Sequence, residues 1–244
     1  MTHVIMGLFD IIGKKKTTMR DSGVLQGAAD RHTHILFGVD DGIRTLEDAL
    51  AVLAVEEAAG ISDVWCTPHV MEDMPNTTKV LKERFLLLKA AYKGNIRLHL
   101  AAEYMIDTVL EERLKSGDLL TMEDEILLVE TSTVAGPIGL HGLFQDMMRA
   151  GYRPLFAHPE RYRYLKDEDY EKLHEAGVRF QLNLPSLLGY YGEAVRSRAE
   201  WILTRGWYNA FGSDCHRIRS IADLIDRKAL DVSLVERIKE IYLF

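Results

Sequence analysis

Residues 29–42 read ADRHTHILFGVDDG. His32 and His34 stand two apart, and the adjacent carboxylates Asp40 and Asp41 follow six residues on. On a β-strand, side chains at i and i+2 share a face, so both imidazoles can address one cation. Asp41, on the loop beyond Gly38, can reach a neighbouring cation. Asp40 is a second candidate, and one of the two carboxylates can instead orient the loop. A strand end running into a polar turn would explain the same residues with no chemistry at all. The rest of the chain decides.

Outward from this stretch the chain alternates. Strand-like segments fall at 28–34, 63–69, 97–104, 126–132, 153–160, 179–185 and 208–216. Between them lie amphipathic, helical patterns. Thr45 is placed to cap the first of these, where Leu46, Leu50, Leu53 and Ala54 recur at helical spacing up to Gly60. Residues 77–93, 107–115, 139–150, 167–176, 192–205 and 220–230 read the same way. Seven β/α repeats predict a parallel sheet. The polar residues separate an open sheet from a closed one. Strand after strand ends in a metal-type side chain: His32 and His34, His69, Glu103, Glu130, His158, then Asp214 and His216. Only a closed barrel brings the carboxyl ends of so many strands to one mouth. The expectation is an α/β fold, a TIM-like barrel of seven strands. Residues 1–25 read as a tail and 26–244 as a single domain.

Composition agrees with a globular chain: 244 residues, 47% hydrophobic, with a formal net charge of −7. That charge disfavours a broad nucleic-acid surface. Two cysteines, Cys66 and Cys215, do not make a disulfide framework and fit a reducing, cytoplasmic setting. No apolar run is long enough to span a bilayer. Near the N-terminus, Lys14–Lys16 follow a short apolar run broken by Asp10, the reverse of an export signal. Such a run can lie on a membrane surface; a partly ordered tail is the simpler reading.

Each short motif alone is weak. Their shared position changes the weighing. Glu103 and Glu130 end apolar strands, where a buried carboxylate is costly unless paired or metal-bound. Five histidines, two glutamates and two aspartates exceed the four ligands of one tetrahedral zinc and suit two or three cations with bridging carboxylates. In order, HTHILFGVDDG, TPH, AAEY, LLVE, AHPERY and GSDCH resemble the motifs of the polymerase and histidinol phosphatase (PHP) superfamily. Within it they are most similar to the bacterial tyrosine-phosphatase branch tied to capsule and exopolysaccharide synthesis. The resemblance runs from about Ala28 to His216. It implies a distorted seven-stranded barrel with a trinuclear centre. Its ligands would be His32, His34, Asp41, His69, Glu103, Glu130, His158, Asp214 and His216, with Glu103 bridging. It also implies a phosphotyrosine protein as partner, the tail of a polysaccharide-synthesis tyrosine kinase. Two positions depart from the pattern: Arg31 stands where an apolar residue is usual, and Phe37 where Pro is frequent. By strand alternation Arg31 should point away from the mouth.

Clustered divalent cations suit phosphate-ester hydrolysis, because a bridging water loses its proton readily and the cations neutralise phosphate oxygens. Manganese, iron and zinc all accept this ligand mixture. Arg161, just past His158, is the first candidate to grip phosphate, and the family pattern also assigns it there. Arg217 and Arg219, after His216, are a second grip or solvated loop residues. A cysteine-dependent phosphatase needs C-x5-R, but the sixth residue after Cys66 is Glu72 and after Cys215 is Ile221. His99, His141 and His174 lie off the strand ends and read as packing or surface. Tyr162, Tyr164, Tyr190 and Tyr191 fit an aromatic pocket or plain packing. The expected activity is a metal-dependent protein-tyrosine phosphatase. The alternatives are a small-molecule phosphoesterase, such as one for histidinol phosphate, and a non-catalytic metal-binding barrel.

Overall fold

The computed structural model describes residues 15–241. Strands run over β1 (Lys16–Thr17), β2 (Ala29–Thr33), β3 (Asp63–Cys66), β4 (His69–Val70), β5 (Arg97–Leu100), β6 (Glu103–Met105), β7 (Ile126–Glu130), β8 (Arg153–Ala157), β9 (Arg179–Asn183), β10 (Tyr208–Gly212) and β11 (Leu230–Asp231). Two sheets are wholly parallel: β2-β3-β5, and β10-β9-β8-β7-β6-β4. The fold is mixed α/β, built on parallel sheets.

Two of the expected strands are each broken in two. The segment 63–69 splits into β3 and β4 around Thr67-Pro68, where proline has no N–H to give to a ladder. The segment 97–104 splits into β5 and β6 around Ala101-Ala102. In both places the chain leaves the first sheet and enters the second. Hydrogen bonds cross the breaks, from Ala101 N to Cys66 O at 3.0 Å and from Glu103 N to Pro68 O at 3.1 Å. At the other edge, the end of β10 meets β2. Asp214 N donates to His32 O at 2.8 Å, and His34 N donates to Cys215 O at 3.1 Å. The buried Asp30 carboxylate accepts from Ser213 N at 3.0 Å across the same seam.

Helices cover the sheets. Thr45 caps Leu46–Ala59 by accepting from Asp48 N, and Gly60 closes it at φ 97°. Thr77 caps Thr78–Ala91 and Asp107 caps Thr108–Ser116 in the same way. Leu140–Arg149, Asp167–Glu175, Glu193–Thr204 and Ile218–Asp226 complete the repeats. The main core lies between sheets and helices and includes Leu53, Leu81, Phe144, Phe156, Tyr170, Phe180 and Ile202. A second, smaller cluster comes mostly from strands and strand ends, among them Trp65, Leu128, Leu155, Ala157 and Ala210.

Residues 15–25, read from sequence as part of a tail, pack on the fold. β1 pairs antiparallel with β11, and Met19, Val24 and Leu25 are buried. This clasp had no signal, because its strands are two residues long and 214 positions apart. The membrane-surface reading covers residues 1–20; residues 1–14 lie outside the described residues, and Lys16–Thr17 form β1. Among the described residues no helix is long and apolar enough to cross a membrane.

Candidate metal centre

Every one of the nine ligand-type side chains lies within 4 Å of another. His32 and His34 stand at the end of β2, His69 opens β4 and Glu103 opens β6. Glu130 ends β7, His158 follows β8, and Asp214 and His216 follow β10. Asp41 comes from the loop after β2. Glu103 is at the middle and fully buried. Its Oε2 lies 3.2 Å from His32 Nε2, 3.3 Å from His34 Nε2 and 3.1 Å from His69 Nδ1. Its Oε1 lies 3.1 Å from His158 Nε2. Glu130 approaches His69 Nδ1 at 3.2 Å and His158 Nε2 at 3.7 Å. Asp214 Oδ1 lies 3.4 Å from both His34 Nε2 and His216 Nδ1. Asp41 Oδ1 lies 3.6 Å from His69 Nε2 and 3.4 Å from His216 Nε2.

The two aspartates of VDDG divide the work. Asp40 is buried behind the cluster. Its Oδ2 accepts a hydrogen bond from His34 Nδ1 at 2.9 Å and from His69 N at 3.1 Å, and its Oδ1 accepts from Gly42 N at 3.0 Å. Asp41 keeps an exposed side chain and faces the cluster. Gly42 is required here, since a Cβ would lie 2.2 Å from His34 O.

Two cluster residues hold left-handed backbone, His158 at φ 34° and Asp214 at φ 51°. Non-glycine residues adopt this conformation at a cost, and it concentrates at functional sites. Hydrogen bonds impose it. His158 N donates to Gln181 Oε1 at 3.2 Å, and Asp214 N to the β2 carbonyl already described.

A cation test follows from the tautomers. His32 Nδ1 is 2.9 Å from the Gln181 amide oxygen, and His34 Nδ1 is 2.9 Å from Asp40. Both imidazoles therefore donate from Nδ1, which leaves both Nε2 atoms with lone pairs, only 3.0 Å apart. Two acceptors at that distance repel unless a positive charge lies between them. Glu103 Oε2 and His69 Nδ1 are likewise buried with no hydrogen-bond partner among the described residues. In the bare protein protons fill this role. Burial pulls the His34 pKa down and His69 repels its charge, but Asp40 and Glu103 prevail and lift it to about 10. Glu103 and Glu130 lift His69 to about 11 against burial. Burial opposes ionisation of the acids, yet His32 and His69 hold Glu103 well below the usual carboxylate range, and His32 and His158 bring Asp214 to about 2. A site with these orphaned atoms, rich in imidazole and carboxylate, fits divalent cations. The donor groups fall into three overlapping sets: His34, Asp41, His69 and His216; His32, His34 and Glu103; His69, Glu103 and Glu130.

A family model described as capsular polysaccharide synthesis, CpsB/CapC, matches residues 28–232. The chain belongs to the CpsB/CapC family. It is 28% identical over 200 residues to the tyrosine-protein phosphatase YwqE of Bacillus subtilis, covering 78% of each chain. It is 27% identical over 205 residues to the tyrosine-protein phosphatase CpsB of Streptococcus pneumoniae, 78% of this chain and 84% of that one. The putative tyrosine-protein phosphatase CapC of Staphylococcus aureus matches at 27% over 197 residues, 78% of this chain and 77% of the other. In structure, the chain resembles YwqE and CpsB, described as unique metal-dependent tyrosine phosphatases, with a TM-score of 0.65 and 24% identity over 86% of this chain and 85% of that one. That likeness bears on the fold.

Around the centre of this CpsB/CapC chain, the arginines differ in placement. Arg161 Nη1 bonds Asp214 Oδ2 at 2.9 Å, and its guanidinium lies 4.6 Å over the Tyr191 ring. Arg217 and Arg219 are exposed and line an open cavity with Asp41 and His216, without a bond to the cluster. Arg31 stays clear of the cluster and pairs with Glu123. The alternation that placed it is interrupted, since β2 slips register against β3 between Asp30 and Thr33. His99 pairs with Asp63 and stacks on Trp65, His174 stacks on Trp207, and His141 stands apart at a helix start. Tyr162 and Tyr164 pack against Thr131, and Tyr190 bonds Asp223. Both thiols are buried, which pushes their pKa values up and leaves no thiolate nucleophile.

Sequence reasoning missed Gln181 and Asn183. Gln181 orients His32 and His158, while Asn183 Nδ2 donates to Asp214 Oδ2 at 3.1 Å and to the Tyr191 hydroxyl at 3.4 Å. The signal was present. β9 was the one expected strand without a metal-type end, yet it carries two amides at i and i+2 on a single face.

Proposed function

We propose that this protein is a metal-dependent protein-tyrosine phosphatase. Family membership and the tyrosine-phosphatase names of YwqE, CpsB and CapC support this reading. The observation that carries it is Glu103 Oε2: one buried carboxylate oxygen facing three imidazoles, with no hydrogen bond of its own. We infer two or three divalent cations, manganese, iron or zinc. His32, His34 and Asp214 would hold one beside Glu103, His158 and Glu130 another on its far side, and Asp41, His69 and His216 the third. When bound, these cations supply an activated water and positive charge for the phosphate oxygens.

The protein's own groups do the rest. Arg161, steadied by Asp214 and Tyr191, presents a planar fork to phosphate. Arg217 and Arg219 offer further positive charge at the rim. Asp40 and Gln181 hold the Nδ1 side of His34 and His32, so that both Nε2 atoms are aimed inward as the ligand atoms once a cation replaces their protons. A phenolate leaves more readily than an alkoxide, so phosphotyrosine needs little protonation of the departing oxygen.

The architecture we infer is a closed ring of seven strands, β3 with β4 and β5 with β6 each counting as one. The bonds between β10 and β2 and the small cluster around Trp65 and Leu155 support closure. The tail of a capsule-synthesis tyrosine kinase is the inferred partner and the cytoplasm the inferred compartment. Hydrolysis of a phosphotyrosine peptide by metal-loaded protein tests the activity. Chelation should abolish turnover, and turnover that survives chelation would sink the reading.

A further inference from the structure

Three cavities follow one another around the rim of the mouth, each sharing a wall with the next. The first, of about 440 Å³, is lined by Val134, Arg161, Arg163 and Tyr191. The second, of about 280 Å³, lies on the other side of Tyr191. Asp214, His216 and Arg217 line it against the apolar side chains Ile221 and Leu224. The third, of about 480 Å³, continues past His216 and Arg217 to Arg219 and Arg44. Together they make one open trough passing the metal ligands at its middle.

The charges of this trough are unusual for the molecule. Most arginines are engaged: Arg20, Arg97, Arg113, Arg149 and Arg198 sit in ion pairs, and Arg84, Arg205 and Arg227 lie over aromatic rings. Among the described residues Arg44, Arg163, Arg217 and Arg219 show no ion pair, ring contact or side-chain hydrogen bond. All four line the two end cavities. Arg179, at the far end of its strand from the mouth, is the only other described arginine in that state. A chain of net charge −7 has carboxylates to spare, yet it leaves these guanidinium groups unpaired on either side of its centre. Two acids line the same cavity as Arg44: Asp41, which faces the cluster, and Asp48.

We propose that the trough binds an extended peptide segment with anionic groups on both sides of the phosphotyrosine. The tyrosine ring occupies the middle cavity against Tyr191 and Ile221, and Arg163 and Arg44 receive the flanking charges. This rests on the phosphatase reading and adds to it a substrate chemistry: carboxylates or further phosphates beside the scissile residue, not an isolated small phosphoester. Exposed charge pairs are screened by salt, so the preference acts on encounter and binding and fades as ionic strength rises.

The test compares metal-loaded wild type, Arg44→Ala and Arg163→Ala on four substrates. These are an aryl phosphate, a phosphotyrosine peptide with neutral flanks, the same peptide with Asp and Glu flanks, and the same peptide with a second phosphotyrosine. For wild type, kcat/KM should be about 3- to 10-fold higher for both anionic peptides than for the neutral one, with the gain lost at high salt. Each variant should lose part of that gain, through KM, with the aryl phosphate unchanged. A gain with the second phosphate alone would assign the ends to phosphate; equal gains assign them to charge. Equal kcat/KM across the three peptides overturns the proposal while leaving the phosphatase intact. No hydrolysis of any substrate overturns the phosphatase reading itself.

Discussion

At the scale of the residue, the centre depends on side chains that never touch a phosphate. Asp40 and Gln181 fix which nitrogen of His34 and His32 carries the proton. Gln181→Leu removes the acceptor for His32 Nδ1 and His158 N together, and should cost about 10- to 100-fold in metal affinity with the fold retained. Competition titration against a chelator, beside a far-UV spectrum, checks this. Arg161→Ala leaves the cluster in place and should raise KM for phosphotyrosine about 10-fold with metal content unchanged. A variant with wild-type kinetics would remove Arg161 from the phosphate site. Protons compete with the cations. His34 and His69 hold theirs up to about 10 and about 11. Glu103 and Asp214 are already ionised at neutral pH. Loading therefore releases protons, and apparent affinity should rise with pH until those imidazoles are free. Affinity that is flat between pH 6 and 9 would contradict the lifted imidazoles.

At the scale of the element, the helices and strands were legible because each repeat carries a strong local signal. Thr45 and Gly60 bracket a helix within a residue of its observed ends. The breaks in the second and third strands were not legible. They depend on where two sheets meet, and only Pro68 marked one of them. Nor was the β1–β11 clasp, which depends on pairing across nearly the whole chain. Most of the candidate site was visible as residue types at strand ends, whereas the orienting amides on β9 looked like ordinary polar positions. The seam between β10 and β2 is the most exposed to substitution. Gly212 lies against it, and an added Cβ would fall 2.4 Å from His32 Cβ. Gly212→Ala should therefore cost about 1–3 kcal/mol and loosen metal binding, read as a lower denaturation midpoint of the apoprotein together with weaker loading. An unchanged midpoint would show the seam to be slack.

At the scale of the whole molecule, the fold spends its rigidity on bringing four acids and five imidazoles to one rim. Such a cluster is unfavourable empty, since buried acids and bases must neutralise one another by protonation. Cations that bind only the folded state should raise stability, by about 2.7 kcal/mol at a free concentration 100 times Kd. Thermal unfolding with and without chelator reads this directly. The most direct test of the central claim is metal stoichiometry, by elemental analysis of protein purified without chelator. The account predicts two or three divalent ions per chain. One ion or none, in protein that nonetheless hydrolyses phosphotyrosine at full rate, would contradict it.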